Sequence, residues 1–368
     1  MSKANRRGVA APRLTRRQFM AASTAVAGAA ALGCPYVARA ADPLKVGAYG
    51  GYFKDSFDKH IFPQFTKDTG IAIESVAEPT GEAWLVQLET AARAGQAPAD
   101  VSMIAQVPNL KGIKAELWVP LDESKLPNAG NVLPRFVQRY PDGSISGVGA
   151  VAWYITLVSN TDVYPEAPTS WAELWKDSNR DRLGLLALAT NSFLLEITAK
   201  THLGGVGVLD TQDGIKKALA KLAEVKPNVK LWYRDEGQFE QALKSGEIPM
   251  GQYYHDVTGL AIADGFPVRS TFPKEGGVID SGSWAVSRAS KMVEEAHVFI
   301  NYMCQPSMQA RLSRKVGTAP TLPRNMLDLT DAEFASVSSE IDPIVPRYDI
   351  YEKWPDWINQ RWTEMVTG

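Results

Sequence analysis

Cysteine is nearly absent from these 368 residues: there are two, Cys34 and Cys304, too few for a disulfide-stapled scaffold or a cysteine-built zinc or iron–sulfur site. Histidine is almost as scarce. The four present, His60, His202, His255 and His297, are scattered, and none stands at a paired metal-ligand spacing. There is no Gly-x-Ser-x-Gly elbow, no Gly-x-Gly-x-x-Gly after a strand-like run and no phosphate-binding P-loop, so the familiar hydrolase, dinucleotide and nucleotide chemistries lack their residues. Ser281-Gly282-Ser283 has no base near it in the sequence. No apolar run spans a membrane: the stretch Phe19 to Gly33 is about fifteen residues long, where a spanning helix needs roughly 20. Internal repeats and low-complexity runs are missing beyond the first forty residues.

Those forty residues are a different matter. They carry seven Lys or Arg and no acid, then the Ala-rich apolar stretch, then the small-residue triplet Ala38-Arg39-Ala40. That order of features is a secretory signal, with cleavage expected after Ala40 and a periplasmic destination. Thr15-Arg16-Arg17-Gln18-Phe19-Met20 resembles the twin-arginine export signal. Two alternatives stay open: an uncleaved N-terminal segment, and lipidation at Cys34, since Ala31-Leu32-Gly33-Cys34 loosely resembles a lipobox. Removing the signal leaves 32 basic residues against 41 acidic ones, a net charge near −9. An acidic surface argues against nucleic acid or anionic membrane as a partner.

About 328 residues then remain, more than one hydrophobic core usually serves, so two domains are expected. Short β-like runs alternate with amphipathic helices. Leu44 to Tyr49 is followed by a helix from about Lys54 to Asp68, a strand over Ile71 to Val76, a helix over Glu82 to Ala94 and a strand over Asp100 to Ile104. Strand and helix in alternation give an α/β fold with parallel sheet covered on both faces, and ligands sit beyond the carboxyl ends of such strands. The loops Tyr49 to Tyr52 and Ala105 to Asn109 are therefore the ones to watch. A mostly apolar run from Gly147 to Asn160 is too long for an ordinary strand and is read as a crossing between domains. The second unit is expected to hold a helix opened by Thr169-Ser170-Trp171, a strand over Leu183 to Leu188, helices over Phe193 to Thr201 and Gln212 to Glu224, and a strand over Val229 to Trp232. A return crossing near Pro273 to Ser283 and one long helix from Lys291 to Lys315 complete the first unit, and the segment with Trp354, Trp357 and Trp362 packs on the second.

From Leu44 to about Asn325 the chain resembles the periplasmic solute-binding proteins of ABC importers, within them the spermidine/putrescine-binding group. The residues that carry the likeness are Phe65 to Ile71, Thr169 to Lys176, Ser245 to Ile248, Phe272 to Gly277 and the Phe-Ile-Asn-Tyr-Met-Cys-Gln-Pro run from Phe299 to Pro306. The resemblance implies the two-lobe periplasmic binding protein fold of type II, each lobe a mixed, mostly parallel sheet with flanking helices, joined by crossover strands. It divides the chain into a signal over 1–40, a first lobe over 43–152 with 278–325, and a second over 153–277 with 326–368. It further implies a monomer that holds a small amine or amino-acid-like ligand in the cleft, passes it unchanged to an inner-membrane ABC permease, and needs no cofactor.

The family's first binding loop corresponds to Tyr49, Gly50, Gly51 and Tyr52, which offer aromatic faces and close backbone approach to a ligand. The acidic pair that polyamine binders place after a second-lobe strand is missing, because Leu188 to Leu194 holds no carboxylate. Arg234 and Asp256, each after a second-lobe strand, are candidates to fork a ligand carboxylate and to meet an ammonium group, as γ-aminobutyrate would require; a surface ion pair for Arg234 is the competing reading. Asp280 and Ser281 lie where the return crossing enters the cleft, and Trp284 is either a cleft wall or core. Trp153 and Tyr154 alternate in direction if extended, so only one of them can face the cleft. Tyr253 with Tyr254 supports a second function, ferric-ion binding through adjacent phenolates, and an enzyme built on the same fold is a third. Tyr254 is kept as a ligand residue under the first reading.

Overall fold

A computed structural model describes residues 42–79 and 82–368; the expected signal, its cleavage site and Cys34 lie outside the described residues. Ten strands form one mixed sheet: β1 (Leu44–Tyr49), β2 (Ile73–Glu78), β3 (Val101–Ala105), β4 (Val137–Arg139), β5 (Ile145–Asn160), β6 (Leu183–Leu186), β7 (Val229–Tyr233), β8 (Met250–Tyr254), β9 (Val268–Thr271) and β10 (Val278–Val286). The order is β2-β1-β3-β10-β5-β8-β6-β7, with β4 and β9 also on β5. At either end the strands run parallel, β2, β1 and β3 on one side and β8, β6 and β7 on the other. In the middle β10 and β5 are antiparallel to each other and to their outer neighbours, as the expected mixed sheet with crossover strands requires.

Two apolar cores divide the molecule, and the division falls within the central strands. In β5 every residue up to Tyr154 that enters a core enters the one built on Leu44, Phe65, Trp284 and Phe299, while Ile155, Leu157 and Val158 enter the one built on Trp171, Tyr233, Phe239 and Tyr253. In β10, Val278 belongs to the second core and Ile279 to the first. A 16-residue strand buried nearly throughout is how one apolar run serves two cores. Later, Leu327 and Leu329 still pack in the first core, and Ile344, Ile350, Ile358 and Trp362 in the second. Trp84, Leu88, Ile104 and Trp118 form a smaller, separate apolar cluster.

Three helices differ from expectation, each for a local reason. The span Lys54 to Asp68 is two helices, Tyr52–His60 and Phe62–Thr69, since Pro63 cannot donate to a preceding turn and instead opens a new one. Pro306 divides Lys291 to Lys315 in the same way, into Val293–Met303 and Pro306–Val316. The helix expected from Thr169 is a single 3-10 turn, Trp171–Trp175, capped by the Ser170 side chain.

Candidate ligand-binding site

The antiparallel register places the central residues of the site. Asp280 of β10 pairs with Trp153 of β5, and Ile155, two residues on, pairs with Tyr254 of β8. Directly paired residues share a face and side chains two apart share it too, so Asp280, Trp153 and Tyr254 stand together on one side of the sheet where the two cores meet. Tyr154 points the other way, is buried, and packs edge-on against Phe272 with ring centroids 4.9 Å apart. Trp153 is thus the half-buried aromatic of the pair that shares the face of Asp280.

Three carboxylates converge here. Asp280 accepts hydrogen bonds from the Ser281 N–H at 2.7 Å and from the Tyr348 hydroxyl, yet burial pushes its pKa up to about 6. Asp256, in the first turn of helix His255–Ala263, is also raised to about 6 by burial, against the pull of backbone N–H groups, and its Oδ1 has no hydrogen-bond partner. Glu236 opens helix Glu236–Ser245; its residue faces solvent, but desolvation and then Asp235 raise its carboxyl while a hydrogen bond with Tyr254 lowers it. Tyr254 joins them: burial first, then Glu236, Asp280 and Asp256 hold its phenol well above the ordinary value. No Lys or Arg enters the balance of charges on any of the three carboxylates. Unpaired carboxylates in a low-dielectric setting are costly unless a cation arrives to meet them.

Tyr348 reaches Asp280 because the C-terminal segment is pinned to the second core. The buried Glu196 carboxylate accepts the Arg347 N–H at 2.9 Å and the Tyr351 hydroxyl at 3.0 Å, on either side of Tyr348. The Arg347 side chain is itself held by Asp349 and Asp210, each at 2.7 Å. A cavity of about 320 Å³ opens beside this segment, lined by Gln106, Arg135, Ile279, Ser281 and Tyr348 among others. Ser281 is buried and its hydroxyl accepts from Gln106 Nε2 at 2.9 Å.

Tyr49 ends β1, and its ring meets Phe53 edge-on with centroids 6.1 Å apart. Its hydroxyl is buried and makes no hydrogen bond, although the Ala105 backbone is near enough to offset part of the rise imposed by burial, Glu78 and Asp280. Gly50 and Gly51 form an exposed turn with open space around both, and the φ of 69° at Gly51 explains the glycine there. Tyr52 begins the following helix; its side chain lies outside the described residues.

Two readings from the sequence change. Trp284 is fully buried between Phe57 and Phe299, at centroid distances of 5.9 and 5.0 Å, so it is core and walls no cleft. Arg234 is exposed after β7 and contributes to none of the three carboxylates, so the structure does not join it to Asp256. Tyr253 lies in the second core with its hydroxyl on the Glu236 carbonyl at 3.3 Å and Glu240 at 3.4 Å, and Tyr254 packs against the same core from its edge. The rings of Tyr253 and Tyr254 meet edge-on with centroids 5.5 Å apart.

Sequence reasoning missed Glu236, Tyr348 and Glu78. The last was lost to a strand boundary: β2 runs two residues beyond the expected Val76, which makes Glu78 a strand-end residue and not part of the loop. Tyr348 carried no local signal.

Known proteins resemble this chain over most of its length. The profile of the family described as "Bacterial extracellular solute-binding protein" matches residues 60–334. The chain is 29% identical over 270 residues to the spermidine/putrescine-binding periplasmic protein 1 of Haemophilus influenzae, covering 70% of each chain. It is 25% identical over 286 residues to the gamma-aminobutyric acid-binding protein of Pseudomonas aeruginosa, covering 75% of this chain and 76% of that one. Among solved structures, an ABC transporter substrate-binding protein from Bradyrhizobium japonicum superposes with a TM-score of 0.74 at 22% identity, over 88% of this chain and 99% of that one.

Proposed function

Since the chain belongs to the bacterial extracellular solute-binding proteins, we propose that it captures a small solute carrying an ammonium group and delivers it, chemically unchanged, to the permease of an ABC importer. The observation that carries the choice of solute is the convergence of Asp280, Asp256 and Glu236 around Tyr254 with no basic side chain among them. An ammonium group supplies the missing charge, and Trp153 and the tyrosines offer ring faces to it and to an apolar stem. The relatives named for spermidine/putrescine and for gamma-aminobutyric acid both take amines, which agrees with this. The lobes are proposed to follow the two cores, with β5 and β10 as the crossings on which they hinge. Export by the twin-arginine route and cleavage after Ala40 complete the proposal.

Titration with amines, amino acids and neutral analogues of equal length tests it. Amines are expected to raise the melting temperature by mass action, to change tryptophan emission and to be recovered intact. Asp280→Asn is expected to weaken amine binding by two orders of magnitude or so, the cost of removing a buried charge partner. Equal binding of amines and their neutral analogues would remove the reading, and conversion of the amine would turn it into an enzyme.

A further inference from the structure

Among the described residues, three other than glycine take a positive φ: Glu116, Asp181 and Phe193. The first two are exposed, whereas Phe193 is 2% exposed in the second core. A bulky side chain on a left-handed backbone (φ 51°, ψ 23°) is strained, and such a residue persists only where its surroundings over-determine it. Both sides of it are held. Before it, the Ser192 carbonyl accepts from Nε2 of the buried Gln252 at 2.7 Å, while Gln252 Oε1 accepts the Leu186 N–H of β6 at 3.1 Å. After it, the Phe193 carbonyl accepts the Ile197 N–H at 2.9 Å and opens helix Leu194–His202. The bend at Phe193 separates that helix from the short Ala189–Ser192 and brings the Phe193 ring to Tyr348, edge-on with centroids 6.1 Å apart. One turn on, Glu196 of the same helix holds the Arg347 N–H and the Tyr351 hydroxyl on either side of Tyr348.

We propose that Phe193 is a positioning residue of the ligand site: its ring fixes the Tyr348 ring so that the Tyr348 hydroxyl donates to Asp280. The Glu196 bonds hold the residues around Tyr348, but they leave its ring free to turn about its own side-chain bonds. An edge-on aromatic neighbour selects one of those orientations, and an aliphatic side chain of similar bulk has no such preference. A hydroxyl that donates to a carboxylate favours its ionised form, so Tyr348 keeps Asp280 charged against the effect of burial. The charged form is the one that meets an ammonium group, and Phe193 bears on affinity through it. The other titratable groups that act on Asp280 or Tyr348 are Tyr49, Tyr254, Tyr351 and Glu196. Burial holds the three phenols well above their ordinary value and raises Glu196 as well, against its bonds from Arg347 and Tyr351. The readout must therefore be the Asp280 carboxyl itself.

The effect on affinity rests on the reading of the previous subsection; the positioning of Tyr348 does not, and the experiment separates the two. The Asp280 carboxyl, identified by the loss of its signal in Asp280→Asn, is titrated by NMR in the ligand-free full chain, in Phe193→Leu, in Tyr348→Phe and in the double variant. Phe193→Met replaces F193L if that variant does not fold. F193L is expected to move the Asp280 midpoint up from about 6 in the direction of Y348F, and the double variant to match Y348F alone, since Phe193 acts through that hydroxyl. Calorimetry with a series of amines is expected to follow: F193L weakens binding about threefold to tenfold at about pH 5, with no loss at about pH 8, where Asp280 is ionised in every variant. A role in stability alone would weaken binding equally at both. An Asp280 midpoint that F193L leaves unmoved, or that it shifts as far in the Y348F background as in the parent, overturns the positioning role. If the midpoints move as expected and no amine binds the parent, amine capture falls and the positioning of Tyr348 stands.

Discussion

The Tyr348 hydroxyl donates to the Asp280 carboxylate, and through that bond the C-terminal segment, pinned to the second core by Glu196, touches the strand that crosses between the cores. Asp280 has one other donor, the Ser281 N–H. Tyr348→Phe keeps the ring and leaves the carboxylate with a single hydrogen bond. The expected cost is about 1.5–3 kcal/mol in chemical denaturation, the value of a hydrogen bond to a charged group. Unchanged stability would show that this bond is not formed in solution.

Stability and affinity are expected to run in opposite directions with pH. Asp256 and Asp280 have folded-state pKa values near 6, above the ordinary 3.8 of the unfolded chain. Between these values the folded form holds more protons than the unfolded one, so each residue makes the ligand-free protein more stable as pH falls from 7 to 4, by up to about 3 kcal/mol. Ammonium binding needs the ionised carboxylates, so affinity falls over the same range. Denaturation curves of the parent, D256N and D280N at several pH values isolate the contribution, because carboxylates lowered elsewhere, such as Glu333, pull the other way in all three proteins. A parent whose pH dependence matches that of the variants would contradict the assignment.

Arg234→Ala is expected to change little. The side chain is exposed and acts on none of the three carboxylates. Stability should stay within about 0.5 kcal/mol and amine affinity unchanged. A selective loss of γ-aminobutyrate binding would restore Arg234 as the partner of a ligand carboxylate.

Trp284→Ala should act on the fold. Removing a fully buried indole packed against Phe57 and Phe299 is expected to cost about 3–5 kcal/mol. Trp284→Phe, which fills most of the space, should cost less and leave amine affinity near the parent value; a specific loss of affinity in that variant would return Trp284 to the cleft.

Much of this architecture is written along the chain, because its causes are local. Alternating apolar patterns and the turn at Gly50-Gly51 set the strand–helix succession, and the unusually long run ending at Asn160 announced the shared strand β5. Where expectation failed, a competing local rule had been overlooked: Pro63 and Pro306 each break a helix whose apolar pattern continues past them.

The amino-acid sequence by itself determined the α/β class, the two cores and the tyrosine at the end of β1, since periodicity, length and turn chemistry act within a dozen residues. The tertiary structure alone decided which charges meet. Asp280, Glu236, Tyr348 and the neighbouring Tyr254 and Asp256 come from four separate segments of the chain, and strand register together with the anchoring of Arg347 and Tyr351 on Glu196 brings them to one place. Whether a carboxylate stands alone or beside a guanidinium depends on distance through a low-dielectric interior, and no spacing along the sequence encodes that distance.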